Sequence, residues 1–562
     1  MHSCDRSKLL QNEENVLKRS TIAIPRESLT FPLRQAARNF PEKVAIISPD
    51  AGGQGITYRT LEDHSSLLAA ALVDLGVDPG DRVALWMKNS PEYVLSFYGI
   101  LKAGAVVVPM STFYGEKEVL NRLGVTQAKG LLAADSLINP LMGSLRKIET
   151  LRFLVAIGRA EGLPEAISFS SLLNGSNHLD RSIGMDPVET LAVLPFSSGT
   201  TGLPKGVMLT HSNLLSNLYQ IMQNHEFSDQ DVLLSQLPFS HIFGMTVLMG
   251  GSVMAGATQV LATSIRPFDK FLDLFEAFRP TLFFTVPLIV QEFCHHPRVG
   301  TMDWRRLRYV STGGGPVSPE IQELFTRITG VPIRQGYGMT EASPTTHGNP
   351  IRRIKVGSSG LPVANTEDKI VDPQTCVELP TNKVGEIWIR GPQVMKGYYQ
   401  DPRATAETLI DGWLRTGDLG RKDEEGYLFV VGRLKELIKT KGFQVSPVEI
   451  EHILVAHPGI KDAAVVAEPH PDFGEVPVAG VVLQPNVQLS PEAIIEYAAR
   501  GIAKYKRLSR VVFTDSIPRS PSGKILRHVL KEVLIGAETE NSNVKGDTAK
   551  SQKKEKFESN TR

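Results

Sequence analysis

An α/β fold follows from three features of this 562-residue sequence. Short β-type apolar runs alternate with helical stretches from Leu29 onward, the rhythm of parallel strands joined by crossover helices. After about Lys369 the strands shorten and turns crowd together, as in antiparallel sheet. From Arg433 to about Leu534 strands and helices mix again. The expected architecture is a large N-terminal region of mixed and parallel sheets flanked by helices, a β-rich subdomain, and a small C-terminal α+β unit.

The elements follow in order. Residues 1–25 read as a polar lead-in. Val44-Ala-Ile-Ile is a strand, and Leu61 to Leu75 has helical spacing that stops at Gly76. Arg82 to Met87 is a strand, Pro91 to Lys102 a helix, and Ala105 to Pro109 a strand. The rhythm continues through Leu131, Phe153, Thr190, Leu233, Thr281 and Arg308. Ile242 to Ile265 lacks Asp, Glu, Lys and Arg, which raises a membrane span of about 20 residues. Gly244, Gly250, Gly251, Gly256, Ser252, Thr258 and Gln259 interrupt it, so it reads as a buried helix, a glycine turn and a buried strand. The β-rich stretch holds Ile370-Val-Asp, Gly385 to Gly391, Gly412 to Asp418 and Gly426 to Gly432. From residue 536 to 562 the chain is charged and polar, too poor in apolar residues to bury a core.

Composition narrows the function classes. With 61 Lys and Arg against 60 Asp and Glu, the net charge is +1, so nothing marks a nucleic-acid binder. Apolar residues at 41% fit an ordinary soluble globular protein and exclude a fibre or a many-pass membrane protein. Cys4, Cys294 and Cys376 form no zinc or disulfide pattern. There is no secretory, transmembrane or C-terminal peroxisomal signal, and the expected location is cytoplasmic. Lys550, Lys553, Lys554 and Lys556 give the tail a peripheral lipid-contact option, weakened by its acidic residues.

Five segments carry chemistry. Leu194 to Val207 packs Ser197, Ser198, Thr200 and Thr201, Gly199, Gly202 and Gly206, and the cation Lys205. Such a loop wraps N–H groups and hydroxyls around phosphate. It is not a Walker A loop, since Gly206 follows the lysine; the bland alternative is a small-residue surface loop. Gln335, Gly336, Tyr337, Gly338, Met339, Thr340 and Glu341 place a ring that can stack on a base, a hydroxyl, and a carboxylate that suits Mg²⁺; a glycine-rich turn is the alternative. Asp418, after Gly417, can accept bonds from ribose hydroxyls or close an Asx-turn. Gly432 to Glu451 is cation-rich, which alone reads as a solvated linker. Lys524 lies on a Pro/Gly/Ser turn.

In this order the five segments resemble the acyl-adenylate-forming superfamily: acyl-CoA synthetases, aryl-CoA ligases such as coumarate–CoA ligase, and beetle luciferases. The resemblance spans Leu29 to Leu534. It implies an adenylation domain over 26–434 and a mobile lid over 435–535, hinged at Lys435. It implies that Ser197 to Gly202 with Lys205 hold ATP phosphates, and that Gln335 to Thr340 hold adenine and phosphate. It implies that Glu341 binds Mg²⁺, that Asp418 and Arg433 hold the ribose, and that Lys524 bridges the substrate carboxylate and the α-phosphate. Lys439 and Gln444 match catalytic lid residues, and Lys441 and Gly442 match a coenzyme A contact. His241, Phe243, Gly313, Gly314 and Gly315 match the acyl channel. The implied substrates and cofactors are a small carboxylic acid, ATP, Mg²⁺ and coenzyme A.

Two glycine observations set the expected acid. Gly338 stands where acetate-specific relatives carry a blocking Trp, and Gly313 to Gly315 bear no side chains. With Phe239, Ile242, Phe243, Met245 and Val286 they imply a long apolar channel, gaining about 0.8 kcal/mol per buried CH₂. A medium- or long-chain fatty acid is the expected substrate. An aryl or hydroxycinnamic acid is the alternative, disfavoured by Gly348, where aryl ligases often carry Met. An adenylate-only enzyme loading a carrier protein is a further alternative, opposed by the intact Lys439 to Gln444 segment.

Overall fold

The computed structural model describes residues 21–53, 55–158, 163, 165–197, 204–440, 443–500, 502–520 and 523–534. The tail expected to be disordered, and all of the lead-in before residue 21, lie outside them. Packing divides the chain into two compact units. One runs to Thr416 and includes Gly420–Val430; the other takes Gly417–Leu419 and the chain from Val431.

The first unit holds two nine-stranded sheets. In one, Val44–Ile47, Thr258–Leu261, Val232–Ser235, Leu282–Thr285, Tyr309–Thr312 and Ile333–Gly338 run parallel, with antiparallel strands added at both edges. In the other, Leu191–Val193, Val106–Pro109, Arg82–Trp86, Gly130–Ala134 and Phe153–Ile157 run parallel. Buried apolar side chains dominate these strands because both faces are covered. Helix starts follow local chemistry. Ser90 caps Pro91–Lys102 by accepting the Tyr93 N–H at 3.1 Å, and Thr57 caps Tyr58–Asp74 the same way. That second helix ends before Gly76, which adopts φ +88°.

The uncharged stretch from Ile242 is a buried π-helix, Phe243–Gly250, running into an α-helix, Gly251–Ala255. A turn at Gly256 (φ +69°) leads to the strand Thr258–Leu261. Helix, turn and strand are as expected; the π geometry is not legible from the pattern. Among the described residues no helix is long and apolar enough to cross a membrane.

The β-rich stretch forms a five-stranded sheet in which Glu367–Val371, Gly385–Arg390, Trp413–Lys422 and Leu409–Ile410 follow one another. Leu428–Arg433 pairs with Trp413–Lys422. In the second unit a long antiparallel hairpin, Ile460–His470 with Gly474–Leu483, is extended by Ile438–Thr440 and Phe443–Val445 on one side and by parallel Arg510–Phe513. Helices Pro447–Val455 and Pro491–Ala498 bury Ile450, Leu454 and Ile494 against it. This is the expected α+β unit.

Candidate active site

Phe196–Ser197 pairs antiparallel with Lys205–Thr210, setting Ser197 opposite Lys205. Ser198, Gly199, Thr200, Thr201 and Gly202 lie outside the described residues. The Ser197 hydroxyl is buried with no hydrogen-bond partner among the described residues, as a group awaiting an acceptor would be. The hairpin's root is gripped from below by Arg122, whose guanidinium lies 4.3 Å from the Phe196 ring centroid. The half-buried Lys205 ammonium sits 5.0 Å from the centroid of the Tyr398 ring.

Gln335, Gly336, Tyr337 and Gly338 end the strand Ile333–Gly338, so Met339, Thr340 and Glu341 follow at its carboxyl end, the usual ligand side of an α/β sheet. The Gln335 side chain turns inward: its Oε1 accepts the Val317 N–H at 2.5 Å, and its carbonyl accepts Asn349 Nδ2 at 2.9 Å. Tyr337 is half-buried, its ring 5.9 Å from that of His347. Behind it, buried His347 contacts Asp368 at 3.3 Å, and Asp368 pairs with Lys422 at 2.7 Å. Burial opposes the Asp368 charge, yet His347 and Lys422 outweigh it and hold the carboxyl down at about 2. Glu341 is buried, and its Oε1 accepts the Tyr398 hydroxyl at 3.0 Å. No group of three or more His, Cys, Asp or Glu converges among the described residues. A single carboxylate fits Mg²⁺, which keeps water and phosphate oxygens as its other ligands.

The second unit brings its own set together. Arg433 Nε lies 3.1 Å from Asp418 Oδ1, so the two ribose candidates form one polar pair. Exposed Lys439 and Gln444 face each other across the hairpin Ile438–Thr440/Phe443–Val445. Lys441 and Gly442, at its tip, lie outside the described residues. Lys435 is exposed on the 3₁₀ turn Leu434–Glu436. That turn is anchored by Glu436, 2.8 Å from partly buried Arg527, which also grips Glu451. Lys524 follows Gly523 (φ +80°) in a tight turn where Ser520 N–H donates to the Lys524 carbonyl at 2.8 Å. Arg519 braces the turn, binding the Gly523 carbonyl at 3.0 Å and Asp462 at 2.7 Å.

The acyl candidates give a different result. Phe243 and Gly313 meet: a Cβ on Gly313 would lie 3.2 Å from the Phe243 ring. The His241 ring nitrogen accepts the Phe243 N–H at 3.3 Å. Gly314 adopts φ +80°, which glycine serves best. A side chain on Gly338 would run into the Pro344 carbonyl. Only Gly315 has ordinary room, with Pro287 3.5 Å away. Three of the four glycines therefore have backbone or packing reasons, and they no longer report a deep channel. Phe239, Ile242, Met245 and Val286 are buried in the main core, and Gly348 makes way for Asn224.

Sequence reasoning missed Tyr398, which joins Lys205 to Glu341. It lies 57 residues beyond Glu341, inside no motif, so only the fold reveals it.

The Ser197–Lys205 hairpin, the glycine-flanked Tyr337 beside buried Glu341, and the braced Lys524 turn of the smaller unit are the groups that a nucleotide-dependent acid-activating enzyme would need. The AMP-binding enzyme family matches residues 33–399, and its C-terminal domain matches 449–524; the chain belongs to this family. It is 39% identical over 495 residues to 4-coumarate–CoA ligase 3 of Oryza sativa subsp. japonica, covering 86% of this chain and 88% of that one. The solved anthranilate CoA ligase AuaEII, in complex with anthranoyl-AMP, superposes with a TM-score of 0.84 at 26% identity, covering 92% and 99%. ATP-bound MatB from Rhodopseudomonas palustris gives 0.81 at 30%, covering 89% and 98%.

Proposed function

We propose that this enzyme is an aryl-acid–CoA ligase whose substrate is a hydroxycinnamic or closely related aromatic acid. The coarser activity is AMP-forming acid–CoA ligation with ATP, Mg²⁺ and coenzyme A. Its finer reading rests on the likeness to 4-coumarate–CoA ligase along most of both chains. The fatty-acid expectation has lost its support, because the glycines that argued for a long channel have local structural causes.

A carboxylate repels nucleophiles, so it must first be activated. Its oxygen attacks the α-phosphorus of ATP, and the bond to pyrophosphate breaks. The thiol of coenzyme A then attacks the acyl carbon, and AMP leaves. The first step needs positioning and charge neutralisation more than covalent help. In this reading Ser197 and Lys205 hold phosphate oxygens, and the Gln335–Thr340 segment holds the base, with Tyr337 as its stacking face. Asp418 and Arg433 hold the ribose, and Lys524 draws the acid and the α-phosphate together. Glu341 would hold Mg²⁺ together with the nucleotide, and the ion would supply neutralisation of the phosphate charge. Lys439 and Gln444 serve the thiol step, with Lys441 and Gly442 beside the pantetheine and Lys435 as the pivot between the arrangements. His241, Phe243, Gly313, Gly314 and Gly315 border the acid.

The test is an AMP-release panel with and without coenzyme A. CoA-dependent turnover of 4-coumarate or caffeate with little on decanoate and palmitate is expected. Turnover confined to the fatty acids would overturn the aryl reading, and adenylate formation without thioester would overturn the coenzyme A step.

A further inference from the structure

We infer that Tyr398 is a positioning residue that insulates the phosphate-binding lysine from the metal-binding carboxylate. The inference rests on the roles proposed above for Lys205 and Glu341. Both groups address one side chain: the Lys205 ammonium faces the ring, 5.0 Å from its centroid, and the Glu341 carboxylate takes the hydroxyl at 3.0 Å. Among the described residues, no nitrogen–oxygen contact of 4.0 Å or less joins Lys205 to Glu341.

Opposite charges this close to one side chain, in a partly dry site, attract strongly. A direct pair would cancel the cation meant for phosphate and the anion meant for the metal. Tyr398 gives each a weaker, exchangeable partner: a π face for the cation and one hydroxyl for the carboxylate. The phenol is the donor in this contact, since a carboxylate oxygen only accepts.

The backbone holds this geometry. Gly397–Tyr398 pairs with Lys205–Thr210, matching Val207 to Tyr398. Tyr399 N–H donates to the Gly206 carbonyl at 2.8 Å, and Met395 N–H to the Glu341 carbonyl at 2.8 Å. Ser343 Oγ donates to the Gln393 carbonyl at 2.8 Å. One segment, Gln393 to Tyr399, thus clasps both halves of the site and sets the ring at their junction.

The test uses the full chain and two activity-free measurements: ATP binding by calorimetry in EDTA, and Mn²⁺ binding by electron paramagnetic resonance in the presence of ATP. Tyr398→Phe keeps the ring and loses the hydroxyl. It is expected to weaken Mn²⁺ binding about tenfold while metal-free ATP binding stays within about twofold of wild type. Tyr398→Leu loses both and is expected to weaken the two about tenfold each. Thermal melts confirm folding. Wild-type values in both variants would overturn the proposal. Equal losses in Tyr398→Phe and Tyr398→Leu, tracking a lowered melting temperature, would overturn it in favour of a purely structural ring. Lys205→Met and Glu341→Gln separate the underlying reading: if they bind ATP and Mn²⁺ as wild type does, the site assignment itself is wrong.

Discussion

A glycine speaks of its neighbours. At 338 the missing side chain is dictated by the Pro344 carbonyl, which occupies the space a Cβ would need. Gly338→Ala should therefore cost on the order of 2–3 kcal/mol of stability, as a forced backbone shift does, and leave the ranking of acids unchanged. Gly315→Ala, facing Pro287 at 3.5 Å, should stay within about 0.5 kcal/mol of wild type and move the preference toward smaller acids. Urea melts and an acid panel on both variants check this; a stable Gly338→Ala with a shortened acid preference would restore the channel argument. The example shows where sequence reading stops. That glycines at 313–315 and 338 matter was legible. Their cause was not, because it lies in how the chain folds back: the turn after Gly338 sets the Pro344 carbonyl against it, and distant Phe243 packs on Gly313.

At the level of elements, the helix His211–His225 joins cap chemistry to pH. Thr210 and Asn213 form a reciprocal cap: each side chain accepts the other's N–H, at 3.1 and 3.0 Å. His211, in the first turn, is buried, and its Nδ1 accepts the Leu29 N–H at 3.0 Å. Burial pushes its pKa down to about 4, with Asp180 partly opposing. Above the unfolded value near 6.5 both states are neutral and the contribution is full; as pH falls from 6.5 to 4 only the unfolded chain gains the proton. Stability should drop by up to about 3 kcal/mol across that window. His211→Gln should flatten the slope in part, since buried His225 is shifted the same way. Urea midpoints at pH 7, 5.5 and 4.5 decide it, and identical slopes would refute the assignment. Strands and helices were largely legible because apolar runs and stops such as Gly76 are local signals. The π-helix at Phe243–Gly250 was not, since an all-apolar run gives no phase.

For the whole molecule, the proposed chemistry divides along the chain. Lys524 and the Lys439–Gln444 pair belong to the second unit, but to separate parts of it. Lys524→Ala should lower pyrophosphate exchange about 10²–10³-fold and spare thioester formation from ready-made acyl-AMP. Gln444→Ala should show the reverse. Equal loss of both half-reactions in both variants would refute the division. These residues were legible because each sits in a dense polar motif; Tyr398 and the His347–Asp368–Lys422 chain were not, because tertiary pairing alone makes them neighbours. The widened coil that begins at Phe243 carries a consequence for descent. Deleting one residue there would let the i to i+4 bonds re-form and swing Phe243 about 100° off Gly313. If Phe243 borders the acid as proposed, a single codon lost or gained there would alter the acid preference by rotation of the coil.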